Sequence, residues 1–113
     1  MTPTAGGVYL SPVTFILSDC IRQELTKTAN YTVTTSDRFI YANTASGSIT
    51  FALPAVAGVT PYTVYSFVKS SASNNMVLDG NGGELVAGAT TLTKTALNAR
   101  VDIYTDNVAW YTV

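Results

Sequence analysis

The side chains that could carry chemistry in this sequence are seven carboxylates, because histidine is absent from all 113 residues. Without histidine, neither a Ser-His-Asp nor a Cys-His nucleophilic site can form, and catalytic zinc and non-haem iron sites lose their usual ligand. Two carboxylates could still form a glycosidase-type pair, although no spacing in the sequence requires one. We therefore predict no catalytic residues and a protein that is not an enzyme. The carboxylates are Asp19, Glu24, Asp37, Asp79, Glu84, Asp102 and Asp106.

The glycine-rich segment 79–84, DGNGGE, offers oxygen ligands at alternate positions, as a calcium loop does. An EF-hand loop requires glycine at its sixth position and glutamate at its twelfth, where this chain has Glu84 and Thr90. A nucleotide-binding loop requires a following helix and a Gly-Lys-Ser/Thr motif, and the sequence has neither. The segment therefore predicts a tight turn between two strands, with no bound metal and no cofactor.

Aromatic side chains in the second half of the chain are the remaining candidates for a binding site. The tyrosines could form a platform for a sugar or a receptor, or they could line strand faces and a subunit interface. The second interpretation is favoured, with Trp110 in the core. The ligand or interface candidates are Tyr62, Tyr65, Tyr104 and Tyr111.

Charge is scarce, since 12% of the residues are charged against about 25% in an average protein. The net charge of −1 makes nucleic acid and anionic membrane poor partners. No apolar run reaches the ~18 residues of a transmembrane helix, so we expect no membrane insertion. Cys20, the only cysteine, has no partner for an intrachain disulfide and is expected to be a buried thiol.

Threonine (18 residues), valine (12) and tyrosine (7) dominate the composition and favour β-strands. Threonine keeps strand propensity without adding charge, so two threonine-rich faces can meet across a subunit boundary without burying ions. From Tyr31 onward, apolar and polar residues alternate in short runs separated by turn residues. Such spacing predicts an antiparallel β-sandwich or jelly-roll-like domain over residues 31–113, with a hairpin turn at Asp106-Asn107.

Residues 1–30 differ from the rest and are expected to form an extended anchoring arm with one short helix. The helix is predicted over residues 19–27, where Ser18 can cap the first turn and Ile21 and Leu25 share one face. The proposed anchoring side chains are apolar and lie upstream of it. They are Val8, Tyr9, Leu10, Phe15, Ile16 and Leu17.

Residues 31–113 resemble a β-rich module of bacteriophage virion proteins, particularly tail-fibre and related appendage proteins. The residues that carry the resemblance are YTVTTSD (31–37), ITFALP (49–54), YTVYSFVK (62–69), MVLDGNG (76–82), GATTLT (88–93) and VDIYTDNVAWY (101–111). Asn107 stands where such modules usually have glycine, in an Asp-Gly-x-x-Trp turn. The resemblance implies a structural or attachment role on a virion and a homotrimer, and it carries over no catalytic residue.

We therefore expect a non-enzymatic virion structural protein, most simply a trimeric capsid decoration (cement) protein on the surface of a phage particle that assembles in the bacterial cytoplasm. The alternatives are a short tail-fibre or tail-appendage subunit that binds a host receptor, and a carbohydrate-binding β-module. The expected partners are further copies of the chain, other virion proteins such as major capsid or tail proteins, and a host surface glycan.

Overall fold

The computed structural model describes residues 24–113, in which nine β-strands form two sheets. The strands are short because turn residues interrupt every alternating run. Two single 3₁₀ turns, Val56–Gly58 and Asn81–Gly83, lie between them, and no helix in these residues is long and apolar enough to cross a membrane. The strands are β1 (Glu24–Lys27), β2 (Tyr31–Thr32), β3 (Phe39–Ala42), β4 (Ile49–Ala52), β5 (Tyr65–Lys69), β6 (Met76–Asp79), β7 (Thr91–Lys94), β8 (Arg100–Thr105) and β9 (Trp110–Thr112).

The chain alternates between the two sheets as far as β6, which makes their central pairings parallel. A five-stranded sheet has the order β1-β3-β5-β8-β9, and a four-stranded sheet has the order β2-β4-β6-β7. Pairings β1–β3, β3–β5, β2–β4 and β4–β6 are parallel, whereas β7, β8 and β9 each join their sheet in antiparallel fashion. Because each connection crosses to the opposite sheet, the next strand of the same sheet runs in the same direction as the last.

The all-β, two-sheet prediction is therefore confirmed, but antiparallel pairing holds only for the last three strands. The period-two pattern that locates a strand is the same for both directions of pairing. What decides the direction is whether a connection turns back within its sheet or crosses to the other one. Only the hairpin predicted at Asp106-Asn107 carried that information in the sequence. The antiparallel β8–β9 pair confirms the hairpin, although its loop covers residues 106–109 and β9 begins at Trp110.

The predicted helix over residues 19–27 is wrong for its described part, because Glu24–Lys27 is strand β1. Leu25 lies opposite the buried Ile40 of β3, so period-two pairing replaces the expected four-residue helical spacing. The Lys27 ammonium lies 4.0 Å from the centre of the Tyr31 ring, where a cation–π contact adds to the sheet. The sheet thus includes residues assigned above to the arm, while residues 19–23 of the helix and Cys20 lie outside the described residues.

The core lies between the two sheets and consists of their inward-facing side chains. Phe51 of the four-stranded sheet packs on Phe67 of the five-stranded sheet, with ring centres 5.4 Å apart. Truncating either to alanine would cost about 3–5 kcal/mol through lost burial and the cavity left behind. The largest fully buried apolar side chains are Trp110, Phe51, Phe67, Ile40, Ile49, Leu53, Met76, Leu78, Ile103 and Val86.

Lys69, the last residue of β5, is the one fully buried cation among the described residues. The ammonium of Lys69 donates hydrogen bonds to the carbonyl oxygens of Ser71 and Ser73, the second at 3.1 Å. The buried hydroxyl of Thr44 donates to the same Ser73 oxygen. Lys69 therefore holds the Ser70–Asn75 connection against the sheets by satisfying carbonyls that burial would otherwise leave unpaired.

Candidate functional site

Three of the four candidate tyrosines lie together at one end of the five-stranded sheet, on its outer face. Tyr104 of β8 and Tyr111 of β9 are directly opposite each other, with ring centres 5.6 Å apart. The ring of Tyr62, from the loop before β5, lies 6.0 Å from that of Tyr104. We call Tyr62, Tyr104 and Tyr111 the tyrosine strip. Its outermost member, Tyr62, leaves 69% of its surface to solvent.

The β8–β9 hairpin turn fixes the register that brings Tyr104 and Tyr111 together. The Asp106 carboxylate accepts hydrogen bonds from the backbone N–H groups of Val108 (2.9 Å) and Ala109 (3.3 Å). Asn107 takes a left-handed backbone conformation with φ of 73°, which asparagine tolerates better than most residues. A one-residue slip of β9 against β8 would turn Tyr111 to the inner face and separate it from Tyr104.

Tyr62 is held beside the hairpin by backbone contacts and at the expense of local strain. Its N–H donates to the carbonyl of Thr105 at 2.9 Å, and its φ of 64° lies in the left-handed region. A side chain with a Cβ atom pays about 1–2 kcal/mol for that conformation. The amide of Asn107 donates to the carbonyls of Val56 (2.7 Å) and Val59 (2.9 Å), which ties the Tyr62 loop to the hairpin. The strip is therefore preorganised.

A carboxylate lies at the end of the strip, where the Tyr111 hydroxyl donates to Asp106 at 3.1 Å. The backbone N–H of Val108 contributes most to lowering the pKa of Asp106 below its ordinary value, and the Ala109 N–H and the Tyr111 hydroxyl add to it. The same hydrogen bond raises the pKa of Tyr111. The site thus places one carboxylate beside three tyrosine rings.

Tyr65, the fourth candidate, does not belong to the strip, because it points inward. It is buried edge-to-face against Trp110, with ring centres 5.6 Å apart, and its hydroxyl donates to the Thr35 carbonyl at 3.1 Å. Burial raises the pKa of Tyr65. The expectation that Trp110 lies in the core is confirmed by its 1% exposure. Tyr65 is thus a core residue that a surface ligand cannot reach without unfolding.

A second aromatic group on the same outer face was not among the predicted residues. Phe39 and Tyr41 of β3 have ring centres 5.2 Å apart, and the Arg100 guanidinium lies 5.3 Å from the centre of Phe39. Arg100 also pairs with Asp102 at 3.0 Å. The alternation of residues 39–42 could have predicted this orientation. Ile40 and Ala42 are buried, so the side chains that alternate with them, Phe39 and Tyr41, point outward. Because Arg100 covers Phe39, this group is less open than the tyrosine strip.

The outer face of the four-stranded sheet is rich in threonine and almost free of charge. Its cross-strand rows run from Thr32 to Thr91 and from Thr50 to Thr93. The alternate positions of these strands point into the core, as the buried Phe51 and Leu78 show. We call this outer surface the threonine face. It consists of Thr32, Thr50, Ala52, Val77, Asp79, Thr91 and Thr93.

Segment 79–84 forms a compact turn in which Glu84 serves the backbone. The Glu84 carboxylate accepts a hydrogen bond from the N–H of Val56 at 3.1 Å, and Gly82 has a φ of 57°. A Cβ atom on Gly80 would lie 1.9 Å from the Glu84 carbonyl oxygen, so the close approach requires glycine. In residues 24–113, no group of three or more acidic or cysteine side chains is placed to hold a metal ion.

The anchoring candidates Val8, Tyr9, Leu10, Phe15, Ile16 and Leu17 lie outside the described residues, and their role stays a prediction. Comparison with known proteins adds no family to this geometry. No protein-family model matches the sequence, and no curated protein matches it significantly. The candidates for a functional surface among the described residues are therefore the tyrosine strip and the threonine face.

Proposed function

We propose that this chain is a non-enzymatic virion structural protein, a homotrimeric β-sandwich that decorates the capsid surface. The observation that carries the proposal is the threonine face, which gathers strand-forming, uncharged side chains on one side of the molecule. The resemblance of residues 31–113 to phage virion modules supports the virion setting and the trimer. In this proposal, the segment before β1 binds the particle, and the β-domain associates with its copies.

The threonine face is suited to association because covering it desolvates little charge. Asp79 is its single charged side chain, whereas burying an unpaired ion costs several kcal/mol. The strands beneath it include the parallel set β2, β4 and β6, and parallel strands are usually covered on both faces. Within residues 24–113, only the inner face of this sheet is covered, by the five-stranded sheet. Further copies of the chain would cover the outer one.

The size of the face sets how strong the association is. Three strands of four residues and one of two residues, about 4.8 Å apart with about 3.3 Å per residue, present roughly 220 Å². Stable complexes bury about 800 Å² per partner, so the face forms the centre of an interface that neighbouring loops must complete. We therefore expect a trimer in reversible, concentration-dependent equilibrium with monomer when the chain is free in solution.

A matched pair of threonine-to-lysine variants tests this interface. Thr93 and Thr26 are both exposed and both on edge strands, but Thr93 lies on the threonine face and Thr26 on the other sheet. Thr93→Lys should leave a folded monomer, since a buried lysine is costly, and Thr26→Lys should remain trimeric. Sedimentation velocity gives the mass, and circular dichroism verifies folding. Trimers from both variants, or monomers from both, would contradict the proposed interface.

A second candidate, a tail-appendage subunit that binds a host receptor, is favoured by the tyrosine strip. The strip is exposed and held in place, as a recognition surface requires, and it lies on the sheet opposite the threonine face. Gold labelling of purified particles separates the two candidates. Label over the capsid supports decoration, and label confined to the tail supports the appendage.

A further inference from the structure

We propose that the tyrosine strip binds an uncharged carbohydrate chain. The inference does not depend on trimer formation, because the strip and the threonine face belong to different sheets. Sugar rings present apolar C–H faces edged with hydroxyls. Tyrosine can contact both parts of a sugar, since its ring packs on the apolar C–H face and its hydroxyl forms hydrogen bonds with the sugar hydroxyls.

The orientation of the rings distinguishes the strip from the aromatic pairs of the core. Tyr65 meets Trp110 at 84°, and Tyr31 meets Phe51 at 85°, so in those pairs one ring's face is covered by its neighbour's edge. Rings in the strip differ by only 33° between Tyr62 and Tyr104 and by 34° between Tyr104 and Tyr111. Neighbouring rings of the strip are therefore closer to parallel than the rings of the core pairs, and Tyr104 is adjacent to both of the others, which suits a ligand that repeats along its length.

The charges around the strip select a neutral ligand. Asp106 accepts the Tyr111 hydroxyl through one carboxylate oxygen, and a carboxylate has further lone pairs for a ligand hydroxyl. Among the described residues, cations lie over the rings of Tyr31, Tyr65 and Phe39 but over none in the strip. An acidic sugar would thus meet a negative charge with no compensating cation.

The extent of the strip favours a small ligand over a protein. Three rings with centres 6.0 and 5.6 Å apart form a surface of oligosaccharide length. That is far below the ~800 Å² per partner of a stable protein interface. The Thr105 and Asn107 contacts already hold the Tyr62 loop in place. Binding of a small ligand therefore has a lower entropic cost than it would have if the ligand had to order this loop.

Isothermal titration with defined oligosaccharides tests the proposal on the full chain. The probes are neutral hexamers of glucose, galactose, mannose and N-acetylglucosamine, together with sialylated galactose oligomers. We expect at least one neutral hexamer to bind, with an affinity reduced roughly tenfold or more in Tyr62→Ala and largely kept in Tyr62→Phe. Tyr41→Ala is the matched control, since it removes an outward-facing aromatic of the same sheet two strands away from Tyr104.

Any of four results would overturn the proposal. One is the absence of binding by every neutral hexamer at millimolar concentration, and another is binding that Tyr62→Ala leaves unchanged. The third is loss of self-association in Tyr62→Ala, which would make the strip a protein interface. Tighter binding of the sialylated oligomers than of any neutral one would refute the assigned ligand charge.

Discussion

Replacing Asn107 tests how the hairpin holds the tyrosine strip together. Its side-chain amide donates to the carbonyls of Val56 and Val59, and both of these residues are buried. Asn107→Gly keeps the left-handed backbone but removes both hydrogen bonds. Their loss leaves the Val59 carbonyl unpaired, at a cost of about 1–3 kcal/mol, whereas the Val56 carbonyl still accepts from the Val59 N–H. We therefore expect a loss of about 2 kcal/mol in unfolding free energy.

Asn107→Ala removes the same hydrogen bonds and adds strain. At a φ of 73°, alanine pays about 1 kcal/mol more than glycine, so this variant should be the less stable of the two. Urea denaturation followed by fluorescence of Trp110, the single tryptophan, measures both losses. For a domain of this size, the glycine variant should melt about 10 °C lower.

Two outcomes would refute the reasoning. Asn107→Gly with the stability of the original chain would mean that the two amide hydrogen bonds contribute nothing. Equal stability of the glycine and alanine variants would mean that the positive φ imposes no strain. Because Asn107 ties the Tyr62 loop to the hairpin, the glycine variant should also lose affinity for any oligosaccharide that the strip binds.

Two further predictions concern the turns. Gly80→Ala should destabilise the fold by about 3 kcal/mol, because the new Cβ would lie 1.9 Å from the Glu84 carbonyl oxygen. Gly47→Ala is the control and should change stability little, because the space around Gly47 is open. Equal melting temperatures of the two variants would contradict this prediction. The pKa of Asp106 is lowered in the folded state, so its contribution to stability is present above its ordinary pKa of 3.8 and is lost as the pH falls through the folded value. Urea midpoints measured from neutral to acidic pH should therefore fall less steeply for Asp106→Asn, which keeps the turn's acceptor oxygen, and an unchanged slope would contradict the assignment.

Local features of this fold could be predicted from sequence, because they depend on neighbours along the chain. The alternation around Phe51, the Asp106-Asn107 turn and the burial of Trp110 all follow from such patterns. The inward orientation of Tyr65 could also be predicted, since it lies two residues before the buried Phe67 on the same strand and therefore on the same face. Residue type alone groups Tyr65 with the exposed tyrosines, whereas its strand position places it on the inner face.

Other features depend on contacts between distant segments, which no local pattern records. The four-residue spacing of Ile21 and Leu25 indicated a helix, but pairing with β3 makes Glu24–Lys27 a strand. Parallel pairing follows from loops that cross between sheets, and the threonine face follows from that pairing. Tyr62 reaches Tyr104 through the backbone hydrogen bond to Thr105 and the Asn107 contacts to its loop. A glycine-like φ at a tyrosine has no signature in sequence.

The mass of the intact chain in solution tests the central proposal most directly. Sedimentation velocity from low micromolar to millimolar concentration should show a species of three times the 11.9 kDa chain mass, populated increasingly with concentration. A monomer over the whole range would contradict self-association through the threonine face, as would a dimer without trimer.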